Sequence, residues 1–180
     1  MAKTRLGKAT YVERGYGQVE PNHLSAKRTG QIYAQLPADG GIDFLENGQF
    51  VKYDYFAGKV NFTGEGEWML VYNAEKIYDE DEEVNDFAMK KEDYDAYFYN
   101  AAGDVMPEGT KMVPRVFKTN VGDIFTTNTV MATELTLGAK LNVGADGYLV
   151  PGEAEGMTWQ VVKVYTMPDG QKGVKLIRIA

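Results

Sequence analysis

Turn residues divide the last sixty residues of the chain into short runs, and this punctuation constrains the fold more than any other feature. Asp146-Gly147 and Pro168-Asp169-Gly170 separate runs that are rich in Val, Leu, Ile, Thr and Tyr. Asp-Gly tolerates the positive φ that tight hairpin turns require, and β-branched residues suit a pleated strand. The sequence therefore predicts consecutive β-hairpins here, which end in a strand over residues 174–179.

The same pattern extends toward the N-terminus. Asn47-Gly48 predicts a hairpin over residues 42–56, because both residues tolerate the backbone of a tight turn. Further strands are predicted at 31–36, 68–72, 111–119 and 124–131. The acidic segment 74–100 fits a helix around 82–98 or a polar loop.

The predicted fold is therefore mainly β, a compact β-barrel or β-sandwich-like domain with a short α-helical or loop insertion and an extended N-terminal arm. Residues 31–180 form the single β-rich domain, and residues 1–30 form the arm. These first thirty residues contain isolated aromatic residues but no sustained period of two or 3.6, which is typical of an extended segment that docks against another surface.

Composition excludes several classes of reactive site. The chain has no cysteine and one histidine, His23. Disulfides, thiolate nucleophiles and multi-histidine metal sites are therefore excluded, and neither phosphate-loop motif is present. The acidic run 79–83 fails the calcium-loop pattern, because Val84 and Lys90 occupy the positions that require Gly and Glu. We expect no catalytic residues, no cofactor and no metal, and hence no enzyme.

Charge is distributed unevenly along the 180 residues. Residues 1–30 hold six basic and two acidic residues, a net charge of +4, whereas residues 31–180 hold 13 basic and 24 acidic ones, a net charge of −11. Six charges spread over thirty residues form a poor nucleic-acid footprint, and no apolar run approaches the length of a membrane span. Docking on an acidic protein surface is the preferred explanation, and its candidate contact residues are Lys3, Arg5, Lys8, Tyr11, Arg14, Tyr16, Lys27 and Arg28.

The arrangement of turns resembles that of the small proteins that decorate or cement the capsids of tailed bacteriophages. The stretches that carry the resemblance are VGDIFTT at 121–127, LTLGAKLNVGADGYL at 135–149, WQVVKVYTMPDGQ at 159–171, GQIYAQL at 30–36 and LENGQF at 45–50.

The resemblance implies a non-enzymatic virion protein that is made in the host cytoplasm and binds the outer surface of the assembled capsid. Its partner would be the major capsid protein, whose neighbouring subunits it bridges and stabilises, and the chain itself would form a homo-oligomer, with a trimer favoured. The alternative from another class is a virion-surface module that binds glycans or a host receptor through aromatic residues such as Tyr94, Tyr97, Phe98 and Tyr99.

Overall fold

The computed structural model describes residue 6 and residues 15–73, 87–95, 102–104, 112–153 and 155–180. Within these ranges the N-terminal elements are β1 (Val19–His23), α1 (Ala26–Thr29), β2 (Ile32–Tyr33), β3 (Phe44–Glu46), β4 (Phe50–Asp54), β5 (Lys59–Asn61) and β6 (Glu67–Val71). They are followed by β7 (Ala88–Lys90), α2 (Lys91–Asp95), β8 (Val116–Phe117), β9 (Ile124–Thr127), β10 (Lys140–Val143), β11 (Leu149–Pro151), β12 (Thr158–Thr166) and β13 (Lys172–Arg178).

The strands form open antiparallel sheets. A six-stranded sheet has the order β1-β9-β13-β12-β10-β11, and a five-stranded sheet has the order β2-β8-β6-β4-β5. Strands β3 and β7 form a separate two-stranded sheet. The prediction of a mainly β fold is confirmed, and because no sheet of the described strands closes on itself, the sandwich-like alternative fits the structure better than the barrel.

A first hydrophobic core fills the space between the two larger sheets. Phe50 of the five-stranded sheet meets Phe125 and Trp159 of the six-stranded sheet, with ring centroids 6.3 and 5.8 Å away. Phe125 and Trp159 pack edge to face at 4.8 Å, and all three side chains are fully buried. Alternate residues of each strand supply this core, as period-two patterning requires.

A second core covers the opposite face of the five-stranded sheet. Val51 of β4 and Val71 of β6 point away from the first core and pack with Leu45 of β3 and Met89 of β7. Residues of the connection before β3, including Ile42, complete the layer. The five-stranded sheet is thus apolar on both faces, which explains why residues 50–53 alternate only loosely in hydrophobicity.

Both predicted C-terminal hairpins are confirmed. Strand β10 pairs with β11 around Gly147, and β12 pairs with β13 around Gly170, and both glycines have positive φ. Gly147 also faces a steric limit, because a Cβ atom there would lie 2.0 Å from the carbonyl oxygen of Phe50. The amide of Phe50 donates to the Gly147 carbonyl at 2.7 Å, so this turn connects the two sheets.

The predicted hairpin over residues 42–56 is wrong, although its turn is present. The amide of Gln49 donates to the Glu46 carbonyl at 3.2 Å, and Gly48 adopts positive φ. The flanking strands then separate: β3 pairs with β7, and β4 pairs with β5 and β6. Asn-Gly specifies a chain reversal, but burial in the second core determines the partner of β3.

The described part of the predicted arm packs on the rest of the chain. Strand β1 is an edge strand of the six-stranded sheet and pairs with β9. Leu6, Val19, Leu24 and Ala26 are all buried in the first core. Residues 15–30 are therefore built into the sandwich. Most of the predicted segment 74–100 lies outside the described residues, and its described part contains β7 and the five-residue α2.

Candidate functional site

The structure describes three of the eight residues predicted to contact a partner. Tyr16, Lys27 and Arg28 lie within the described ranges, whereas the other five, Lys3, Arg5, Lys8, Tyr11 and Arg14, lie outside them. Lys27 and Arg28 are exposed on α1. The Lys27 ammonium lies 5.7 Å from the ring centroid of Tyr72, so its side chain follows the surface of the sandwich.

Tyr16 makes contacts within the chain. Its ring packs on Phe44 at 5.6 Å, and the Lys90 ammonium lies 5.6 Å from the Tyr16 centroid. The hydrogen bond with Tyr16 raises the pKa of Lys90. A cleft of about 470 Å³ lies beside this contact and is lined by Asp43, Phe44, Lys90, Lys91 and Glu92. Its lining contains two acidic and two basic side chains.

A buried carboxylate holds α1 against the turn that precedes β9. Asp123 accepts hydrogen bonds from the Ser25 amide at 2.9 Å, the Ser25 hydroxyl at 3.0 Å and the Asn120 amide at 2.9 Å. Asn120 also donates to the Ser25 hydroxyl at 2.7 Å. The helix and the turn 120–123 therefore form one fixed corner of the molecule.

Basic and apolar side chains share this corner. The amide of Gly122 donates to the Arg178 carbonyl at 2.9 Å, which brings the turn beside the end of β13. Val121, at the tip of the turn, is 66% exposed. Lys27, Arg28, Lys118, Val121 and Arg178 together are called the basic end.

Two cations of the basic end, Lys118 and Arg178, have partners within the chain. Lys118 forms an ion pair with Glu67 at 2.9 Å, and that contact raises the pKa of Lys118. Arg178 donates to the carbonyl and hydroxyl oxygens of Thr119 and to the backbone oxygen of Ala180. Four basic side chains therefore gather at one corner of a chain whose net charge is −7.

A second polar arrangement, which the sequence interpretation missed, lies on the outer face of the six-stranded sheet. Tyr165 of β12 stands opposite Gly173 of β13, so no side chain separates its ring from β9 and β1. The Tyr165 hydroxyl donates to Glu20 of β1 at 2.5 Å and lies 3.0 Å from the Thr126 hydroxyl of β9. This contact, the Tyr165 strap, ties the edge strand β1 to β12 across two intervening strands.

Burial and neighbouring charged groups affect the Tyr165 side chain in the strap. Burial raises the pKa of Tyr165, and the hydrogen bond to Glu20 acts in the same direction. Lys163 and Lys175 place their ammonium groups 5.2 and 5.8 Å from the centroid of the tyrosine ring. The sequence carried one signal for this arrangement: the turn at 168–170 fixes the register that sets Tyr165 opposite Gly173.

A buried polar seam holds the segment that precedes β1. The Gly17 amide donates to Glu46 at 2.5 Å, and the Gln18 amide donates to the Asn128 side chain at 2.7 Å. The Thr127 hydroxyl donates to the Gln18 carbonyl at 2.6 Å. Because these side chains satisfy the backbone, residues 17 and 18 are buried without belonging to a strand.

The remaining candidates from the sequence form no reactive constellation among the described residues. His23 is exposed at the end of β1. No group of three or more His, Cys, Asp or Glu within the described ranges could hold a metal ion. The acidic run 79–83 lies outside those ranges.

Two further observations concern larger partners. Tyr94 packs against the second core, and burial raises its pKa, whereas Tyr97, Phe98 and Tyr99 lie outside the described residues. No helix in the described part of the chain is long and apolar enough to cross a membrane.

Comparison with known proteins does not assign the chain to a group. No family model matches it, and no curated protein or solved structure matches it.

Proposed function

We propose that the chain is a capsid decoration protein of a tailed bacteriophage, a non-enzymatic protein that binds the outer surface of the assembled shell and bridges neighbouring subunits. The observation that carries the proposal is the basic end, an exposed, positively charged and partly apolar corner on an otherwise acidic protein. Electrostatic complementarity of this kind directs docking to an acidic protein surface and fixes its register.

The construction of the corner supports a role in binding. Asp123 fixes α1 to the turn 120–123, so Lys27, Arg28 and Val121 are presented on a rigid element. Preorganised contacts lose less conformational entropy when a partner binds. The apolar side chain of Val121 can be desolvated at the centre of a contact, with the charged side chains of the basic end around it. An apolar centre with a polar rim is the usual anatomy of a protein interface.

Stabilisation of the shell would follow from mass action. A protein that binds the assembled shell and not its free subunits stabilises each site by about 2.7 kcal/mol at a hundredfold excess over Kd. The stabilisation free energies of the many equivalent sites on one shell would add. The homo-oligomer expected for the chain, with a trimer favoured, stays a prediction that sedimentation velocity can check.

Charge reversal at the basic end tests the proposal. Truncation of residues 2–30 is unsuitable, because it would remove Leu6, Val19, Leu24 and Ala26 from the first core. The variant Lys27→Glu/Arg28→Glu changes only exposed side chains. We expect its co-sedimentation with capsids that lack the protein to weaken at least about tenfold in low salt, with the difference from wild type shrinking as salt screens the charges.

A matched control separates local from overall charge. The variant Lys163→Glu/Lys172→Glu has the same change in net charge on two exposed side chains of the β12–β13 ladder. Lys163 lies in the middle of the ladder and Lys172 at the end away from Arg178, where it pairs with Thr166. This variant should retain wild-type binding. Equal weakening of capsid binding in both variants would show that overall charge, and not the basic end, determines binding. Absence of capsid binding by the wild-type protein would refute the proposed function.

A further inference from the structure

Strand β2 is the last strand on one side of the five-stranded sheet, and no described strand pairs with its outer side. The Lys118 amide donates to the Gln31 carbonyl at 3.1 Å, so residue 31 faces β8. Tyr33 also faces β8, where it pairs with Val116. Because successive residues of a strand direct their backbone groups to opposite sides, the N–H and C=O of Ile32 point away from the sheet.

Ala34 continues this open row of backbone groups. By the same alternation its N–H and C=O lie on the side of those of Ile32. The Ala34 side chain is exposed, and its amide makes no backbone hydrogen bond with a described residue. The N–H and C=O groups of residues 32 and 34, called the β2 edge, have the spacing that an added strand requires.

The other outer strands of the two larger sheets are protected. In β5 the Val60 amide donates to the Pro37 carbonyl at 2.8 Å. In β11 the Leu149 carbonyl accepts from the Met131 amide at 2.8 Å. Strand β1 contains Pro21 and a register irregularity, both of which hinder pairing at an edge. Within the described ranges, β2 has neither a covering segment nor a proline or bulge.

Exposed cations lie where β2 begins. Helix α1 carries Lys27 and Arg28, and its C-terminal end leads through Gly30 directly into β2. The Gln31 amide donates to the Ala26 carbonyl at 3.2 Å, which holds the helix at the start of the strand. The β2 edge is therefore continuous with the basic end, and the positive charge beside it favours a strand that carries carboxylates.

We propose that the β2 edge receives an extended acidic segment of the capsid protein as an additional β-strand. The inference rests on the proposed function and deepens it, because it states how the basic end holds its partner. Backbone hydrogen bonds to residues 32 and 34 supply affinity and register, and Lys27 and Arg28 select carboxylates. A second copy fits less well, since two β2 edges side by side would bring two basic ends together, and like charges repel.

Hydrogen–deuterium exchange, followed by mass spectrometry, measures the added strand directly. Amides of an open edge exchange rapidly, whereas amides that enter a ladder are protected. We expect capsids to slow exchange in residues 31–36 at least about tenfold and to leave the largely exposed loop 133–137 unchanged. Capsid binding without protection of residues 31–36 would overturn the added strand and leave the proposed function intact.

The variant Ala34→Pro removes one outward N–H group and no core contact. Tyr33 before it is already in a strand, which is the backbone that a following proline requires. Ala34→Val is the matched control, because it changes the same exposed side chain and keeps the amide. We expect Ala34→Pro to bind capsids at least about fivefold more weakly than Ala34→Val, since a partner carbonyl is left unsatisfied. Equal binding would overturn the proposal, and the exchange measurement on the wild-type chain decides it even if Ala34→Pro fails to fold.

Synthetic peptides test the acidic character of the partner. A peptide of alternating threonine and glutamate, at millimolar concentration, should slow exchange in residues 31–36, and its threonine–lysine counterpart should not. Equal protection by both peptides, or by neither, would overturn the acidic strand. No capsid binding by wild type would overturn the proposed function, whereas the peptides would still test the β2 edge. Protection that appears in the free protein as its concentration rises would assign the edge to a second copy and overturn the proposal.

Discussion

Replacement of Tyr165 by phenylalanine removes one hydroxyl group and leaves the ring over Gly173. The lost hydroxyl donates to Glu20 at 2.5 Å and lies 3.0 Å from Thr126, so the variant breaks the connection between β12 and the edge strand β1. The backbone pairing of β1 with β9 remains. The perturbation is therefore confined to the Tyr165 strap.

The expected cost follows from the character of that hydrogen bond. A hydrogen bond to a charged acceptor contributes about 1.5–3 kcal/mol to stability when it is well formed. Tyr165 and Glu20 are only partly buried, so water can replace part of the lost interaction. We expect the free energy of unfolding to fall by about 1–2 kcal/mol, which lowers Tm by roughly 2–8 °C in a protein of this length.

Thermal and denaturant unfolding of four variants measures this effect. Tyr55→Phe is the control, because it removes the same group from a tyrosine that is 60% exposed. Tyr165→Phe and Glu20→Ala, combined in a double-mutant cycle, isolate the interaction between the two side chains. A coupling energy near zero, or a Tm for Tyr165→Phe equal to that of Tyr55→Phe, would refute the argument that the strap fastens β1.

Three further outcomes are expected. The raised pKa of Tyr165 means that its contribution to stability is complete below the unfolded value of 10.0 and falls as pH rises through the folded value, so the Tm difference between wild type and Tyr165→Phe should shrink above about pH 10. Gly17→Ala should lower stability by more than about 2 kcal/mol, because its Cβ would lie 2.1 Å from the Asn47 carbonyl oxygen, whereas Gly40→Ala meets no atom within 4 Å and should change little in the same chemical denaturation. Glu67→Gln should change stability by less than about 1 kcal/mol, because its ion pair with Lys118 is exposed, and a larger loss in urea titration would contradict this.

Local signals in the sequence were sufficient for the C-terminal hairpins and insufficient for the region around Asn47. In the first case the turn and both strands lie within about twenty residues, so Gly147 and Gly170 fix the pairing directly. In the second case the turn forms, but Leu45 is buried in the second core, and β3 therefore pairs with the distant strand β7. Turn chemistry specifies where a chain reverses, and tertiary burial determines which strands then meet.

The candidate site was likewise predictable only in part from local sequence signals. The excess of basic residues in 1–30 led to Lys27 and Arg28, which are exposed at the basic end. It could not lead to Val121 or Arg178, because the hydrogen bonds of Asp123 and Gly122 that assemble this corner join residues from separate parts of the sequence. Polar composition likewise predicted an extended arm, while the seam around Gly17 depends on the side chains of residues 46, 127 and 128.

The position of β1 in the six-stranded sheet has a consequence for the order of folding. Gln18 and Thr127, which meet at the start of β1, are 109 residues apart, and β9 in turn pairs with β13 near the end of the chain. Strand β1 must therefore wait until β9 and β13 have been synthesised before its sheet can close. Such distant pairing costs loop entropy before it brings any contact, so we expect slow folding in which the local C-terminal hairpins form early and β1 docks last.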